Sequence, residues 1–173
     1  MSLNNKRVLI FAENDYEDLE LWYPKLRLIE AGVSITVAGP REKSYKSKHG
    51  YPALTDGNVA DFQASEFDGV IVPGGWCPDR LRRYEEVLAF TRTISEAGKL
   101  VAAICHGGWV LASANVVRGR RLTSVPAIKD DLKNAGANWV DEPSVTDRNL
   151  VTAQVPKDLP AFCREILAVL ENQ

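Results

Sequence analysis

The sequence predicts a single α/β domain over residues 1–173: a three-layer sandwich with a mostly parallel sheet and a cysteine nucleophile elbow. Three observations predict it. Apolar or β-branched runs alternate with amphipathic stretches through the first two thirds of the chain, the rhythm of β–α–β crossovers. Several of these runs are apolar at consecutive positions, as strands covered on both faces must be. One run ends in Cys105-His-Gly-Gly108 and passes straight into a small-residue, apolar stretch.

Residues 6–12 (Lys-Arg-Val-Leu-Ile-Phe-Ala) read as a central parallel strand. Residues 15–31 follow as a helix, with apolar Leu19, Trp22, Leu26 and Ile29 at helical spacing and Gly32 as its stop. Residues 33–39 are β-branched and form the second strand. Residues 41–61 are polar and marked by Gly and Pro, with short extended pieces at most. A strand from Phe67 ends in the turn Pro73-Gly-Gly75, and residues 78–98 read as one long amphipathic helix. Residues 100–104 are the strand that delivers Cys105, and a helix leaves the elbow. Beyond it lie a short strand at 121–125 and a helix at 126–135 opened by proline and closed by Gly136. Strand-like pieces follow at 139–140, 144–146 and 150–155, with a hairpin turn at 147–149, and a final helix runs over 158–170.

Composition narrows the function. Apolar content of 45%, charged content of 25% and a net charge of −2 describe an ordinary soluble domain with no electrostatic pull toward nucleic acid or an anionic membrane. No apolar run reaches the ~20 residues that span a bilayer, and no signal-peptide pattern opens the chain, so a cytoplasmic protein is expected. Three cysteines are an odd number that fits a reduced compartment better than a disulfide framework. With two histidines, His49 and His106, and no Cys-x-x-Cys, no structural metal and no cofactor are expected.

The elbow carries the chemistry. A cysteine on a tight strand-to-helix turn lifts its sulfur out of the sheet, beside unpaired N–H groups that favour thiolate. The G-x-S-x-G elbow uses small neighbours in the same way. Adjacent helical residues diverge by about 100°, so contact between Cys105 and His106 is not guaranteed by adjacency. Gly74 and Gly75 form an open turn whose N–H groups, with that of His106, can hold an oxyanion; Pro-Gly-Gly is equally an ordinary turn.

The stretches Ala103-Ile-Cys-His-Gly107, Val72-Pro-Gly-Gly75 with Pro78-Asp-Arg-Leu-Arg82, and Tyr16-Glu-Asp-Leu-Glu-Leu-Trp-Tyr-Pro24 together resemble the ThiJ/PfpI superfamily, of the class I glutamine-amidotransferase-like fold. Residues 118–123, 129–136 and 138–141 look like its intracellular protease PfpI branch in particular. The resemblance spans nearly the whole chain in order. It implies a flavodoxin-like sandwich, a homodimer or higher homo-oligomer, and cysteine-dependent chemistry among peptidase, amidase and glyoxalase or deglycase activities on a peptide or small carbonyl substrate. It also implies that Cys105 is the nucleophile, that His106 is the general base, and that the acid orienting His106 from a neighbouring subunit is Asp79, one methylene shorter than the branch's glutamate. Glu20 matches the acid that hydrogen-bonds the sulfur. Beside a thiolate it must be protonated or share a proton.

Each assignment has a structural alternative: a buried cysteine, a solvated helix face for Glu20, a helix cap for Asp79. The chain also departs from the branch. Gly108 and Trp109 follow Cys-His-Gly, and Trp76-Cys77 follow Pro-Gly-Gly, where relatives carry His or Arg. The two tryptophans predict an apolar, narrow entrance, or packing between subunits, and Cys77 is a candidate resolving thiol for oxidised Cys105. Two other functions fit: an oxidative-stress response protein whose Cys105 is a redox sensor, with His106 dispensable, and an interaction module with no reactive thiol.

Overall fold

The computed structural model describes residues 3–173. Its strands are β1 (Arg7–Phe11), β2 (Ser34–Gly39), β3 (Ser44–Lys46), β4 (Pro52–Leu54), β5 (Gly57–Asn58), β6 (Gly69–Val72), β7 (Leu100–Ile104), β8 (Arg121–Leu122), β9 (Asn138–Trp139), β10 (Ser144–Asp147) and β11 (Leu150–Ala153). The helices are α1 (Asp18–Glu30), α2 (Cys77–Leu81), α3 (Glu85–Glu96), α4 (Gly108–Ser113), α5 (Lys129–Asn134) and α6 (Leu159–Glu171). The main sheet runs β10-β11-β7-β6-β1-β2-β5, parallel except for β10 against β11. Its five parallel strands from β2 to β11 take the flavodoxin-like order, with the switch point between β1 and β6. Open α/β sheets bind ligands beyond the carboxyl ends of strands at that point; β1 and β6 end there, and β7 ends on the same edge beside β6.

Every residue of β6 and β7 is buried, as strands covered on both faces require. α1 packs against α6, and α3 packs against α4. β3 and β4 form a separate hairpin outside the sheet, and β8 pairs with β9.

Of the four apolar residues at helical spacing on the first helix only Trp22 packs against the core: Leu19, Leu26 and Ile29 are 55%, 60% and 48% exposed, while Glu20, Leu21, Pro24 and Leu28 are buried. Apolar side chains occur on both sides of this helix, so spacing alone had two solutions. One expectation is corrected: the long helix over 78–98 is two helices, α2 and α3, broken at residues 82–84. Tyr84 takes an extended backbone (φ −105, ψ 117), and Arg82 donates from Nε to Ser113 Oγ at 2.9 Å. Among the described residues no helix is long and apolar enough to cross a membrane.

Candidate active site

Cys105 follows β7 directly and has φ 60, a left-handed backbone that a cysteine adopts only under constraint. Residues Cys105–Gly107 make one tight turn that enters α4. A Cβ on Gly107 would lie 2.6 Å from Val72 O, so this turn passes β6 at a distance only glycine allows. The left-handed step breaks regular helical rotation and brings Cys105 Sγ to 3.3 Å from His106 Nδ1. Adjacency did not guarantee this contact; the backbone of the elbow supplies it.

Glu20 reaches the sulfur from behind. It is fully buried, and its Oε2 accepts from the Gly74 N–H at 2.8 Å. Oε1 is buried with no hydrogen-bond partner in normal geometry. Burial pushes the carboxyl up to about 8, with the Gly74 N–H opposing and the Glu17 charge reinforcing the rise. Glu20 is therefore protonated at neutral pH. Burial also pushes the Cys105 thiol up, as does Glu20 when ionised, while the N–H groups of Gly75 and His106 pull it down. Burial thus opposes the thiolate that the elbow was expected to favour. The two groups titrate as one coupled pair. With Glu20 protonated, its charge no longer acts on sulfur and its O–H becomes a donor.

Gly74 sits between these two groups. A Cβ there would lie 2.4 Å from Glu20 Oε2 and 2.6 Å from Cys105 Cβ. Because its N–H is held by Glu20, Gly74 is removed from the expected oxyanion trio. Gly75 and His106 remain, both facing the sulfur. Gly75 has φ 78, and a Cβ on it would strike Asp15 O at 2.4 Å.

His106 lies between two indoles, its ring 5.0 Å from that of Trp76 and 5.0 Å from that of Trp109. Trp109 is anchored by its Nε1 donating to Asp131 Oδ2 at 2.7 Å; Trp76 is 58% exposed. Burial, then the Lys48 charge, lowers the His106 pKa, so the ring is neutral at pH 7. Asp79 does not touch His106 within the chain. It pairs with Arg83 on the next turn, and with Trp76, Arg80, Arg83 and Trp109 it lines a depression of about 310 Å³. Cys77 is fully buried, its Sγ 3.4 Å from Gly74 O, and burial raises its pKa well above the usual range. A resolving thiol must be exposed and ionisable, so this position corrects that expectation.

Three residues not singled out from the sequence frame the site. Asp15, at φ 65, accepts from the Trp76 N–H at 2.9 Å and pairs with Arg80 at 2.5 Å. Glu17 is nearly buried, and Lys48 Nζ lies 2.5 Å from its Oε2. No local sequence signal marks Lys48, whose place depends on a contact between Tyr16 and Ser47 across 31 residues. Ligand atoms of Glu17, Asp18 and His49 come within 4.8 Å of one another, the one such grouping among the described residues. Its members are already bonded: Glu17 to Lys48, and Asp18 to both Ser47 Oγ and His49 Nδ1.

Comparisons with known proteins agree with this architecture. The family described as DJ-1/PfpI family matches residues 6–169. A Pyrococcus abyssi protein named as a deglycase is 44% identical over 165 residues, covering 95% of this chain and 99% of its own. The protein/nucleic acid deglycase 2 of Escherichia coli is 41% identical over 169 residues, covering 96% and 98%. Among solved structures, a two-domain Anabaena variabilis protein with DJ-1/ThiJ/PfpI-like and ferritin-like domains superposes with a TM-score of 0.93 at 42% identity. The match covers 96% of this chain and 48% of that longer one.

Proposed function

The chain belongs to the DJ-1/PfpI family, and from that premise we propose that it is a cysteine-dependent hydrolase of the deglycase type, acting on adducts of small carbonyl compounds with amines. The observation that carries this reading is the 3.3 Å contact between Cys105 Sγ and His106 Nδ1 on a left-handed elbow. Cys105 attacks the electrophilic carbon of the adduct. The N–H groups of Gly75 and His106 face the oxygen that gains charge. A neutral His106 accepts the thiol proton and returns it to the departing amine. A proton shift between the two carbons of the fragment left on Cys105 makes a thioester, which water hydrolyses to release the hydroxy acid and restore the thiol. Glu20 keeps one proton behind the sulfur, so the pair carries a single negative charge when the thiolate forms. Relatives named as deglycases at 41% and 44% identity support the substrate class.

The assembly we propose is a homo-oligomer. Leu19, Leu26 and Ile29 form an exposed apolar stripe on α1, the helix that also carries Glu20. Such stripes mark contact surfaces. An Asp79 from a neighbouring chain that orients His106 would do so with the oxygen Arg83 leaves open, or by exchanging Arg83 for His106.

The test compares wild type with Cys105→Ala on methylglyoxal adducts of N-acetylated amino acids and on fluorogenic peptides. Adduct hydrolysis lost in Cys105→Ala is the expected result. Peptide cleavage without adduct hydrolysis overturns the substrate class, and activity surviving in Cys105→Ala overturns the nucleophile.

A further inference from the structure

The hairpin β3–β4 lies outside the main sheet, yet its turn is fastened to the start of α1 at several points. Tyr16 bridges Ser47, and the Lys48 N–H donates to Tyr16 O at 3.0 Å. Ser47 Oγ donates to Asp18 Oδ1 at 2.6 Å, and His49 Nδ1 lies 2.7 Å from Asp18 Oδ2. Tyr16 OH donates to Tyr51 O at 2.7 Å and accepts from Trp22 Nε1 at 3.1 Å. This many contacts on a five-residue turn places one side chain with precision. That side chain is Lys48, whose ammonium meets Glu17 Oε2 at 2.5 Å.

Glu17 is coupled to the nucleophile through the backbone. Its N–H donates to Gly74 O at 3.0 Å, and the N–H of the same Gly74 donates to Glu20 at 2.8 Å. Gly74 in turn lies against Cys105. We propose that Lys48 is a positioning residue for Cys105: held on Glu17, its ammonium cancels a nearly buried carboxylate whose charge would otherwise keep the thiol protonated. This role rests on Cys105 being the nucleophile. It is electrostatic, with Lys48 acting through Glu17 and Glu20 rather than on the substrate.

The charged and titratable groups around the sulfur come from each neighbouring element: Glu20 on α1, Cys77 on α2, His106 beside it and Lys48 on the hairpin turn, while Glu17, at the start of α1, is held by Lys48 and acts on Glu20. Cys77 and His106 are neutral at pH 7, so the sign of the local field depends on Glu17 against Lys48. An uncompensated charge within a few ångströms moves a pKa by about one unit or more.

The experiment is a charge cycle read by the pH dependence of Cys105 alkylation with iodoacetamide, in the full chain, with folding checked by circular dichroism. Lys48→Met raises the midpoint and slows alkylation at pH 7 by about tenfold. Glu17→Gln lowers the midpoint. The double variant Lys48→Met/Glu17→Gln returns close to wild type, and Lys48→Arg stays there. A midpoint unchanged in Lys48→Met overturns the proposal. So does a slow Lys48→Met that Glu17→Gln fails to restore, because a hairpin that had merely come loose would behave that way. Wild-type Cys105 reacting no faster than glutathione sinks the nucleophile instead, and the variant midpoints still decide the role of Lys48.

Discussion

The Gly74 N–H donates to Glu20 Oε2 at 2.8 Å, and this one bond couples the turn after β6 to the acid behind the sulfur. A methyl group at Gly74 would push on Glu20 and on Cys105 Cβ together. Gly74→Ala therefore costs about 1–3 kcal/mol of stability through overpacking, and the displaced Glu20 makes Cys105 slow to alkylate. Thermal melts and iodoacetamide kinetics check this; a variant with wild-type reactivity contradicts it.

Glu20 also sets a pH dependence of stability. Its folded-state pKa, about 8, lies above the ordinary 4.5. The folded protein therefore holds a proton that the unfolded chain has lost between those values. The stability this group contributes is complete below the lower value and is lost as pH rises through the upper one, at about 1.4 kcal/mol per unit. Melting temperatures taken from pH 5 to 9 fall more steeply for wild type than for Glu20→Gln. Parallel curves would remove Glu20 as the cause.

His106 separates turnover from simple thiol reactivity. Removing a general base costs about 10²–10⁴ in rate, so His106→Ala loses adduct hydrolysis by that order while Cys105 still reacts with peroxide. Equal loss of both, followed by mass spectrometry, would assign His106 to thiol activation alone.

Trp76 covers one face of the imidazole. Its removal in Trp76→Ala lets water reach the ring, and the His106 pKa rises toward the ordinary 6.5. The ring-proton NMR titration reads this directly. An unmoved midpoint would place the desolvation with Trp109 and the elbow.

The outward stripe on α1 predicts assembly. Leu26→Glu puts a charge in the middle of it and dissociates the proposed homo-oligomer, as sedimentation would show. A wild-type protein that sediments as a monomer rules the interface out.

Legibility followed the range of each interaction. The elbow could be read because Cys105 and its glycines are neighbours in the chain, and steric demands on a strand-to-helix turn act over a few residues. Glu20 was singled out by the family resemblance of the run Tyr16–Pro24, while its complete burial and its bond to Gly74 come from packing across the fold. The split of residues 78–98 was not readable, because Arg82 turns toward Ser113, a partner 31 residues away.

Local order along the chain was enough to establish the parallel α/β layers, the raised cysteine and its histidine neighbour. Such features come from backbone geometry and from the alternation of apolar runs. Folding in three dimensions had to choose which side of α1 is covered, to commit the Gly74 N–H to Glu20, and to bring Lys48 onto Glu17. Each of those outcomes depends on groups meeting across dozens of residues, where burial and charge act through space and leave no mark in local spacing.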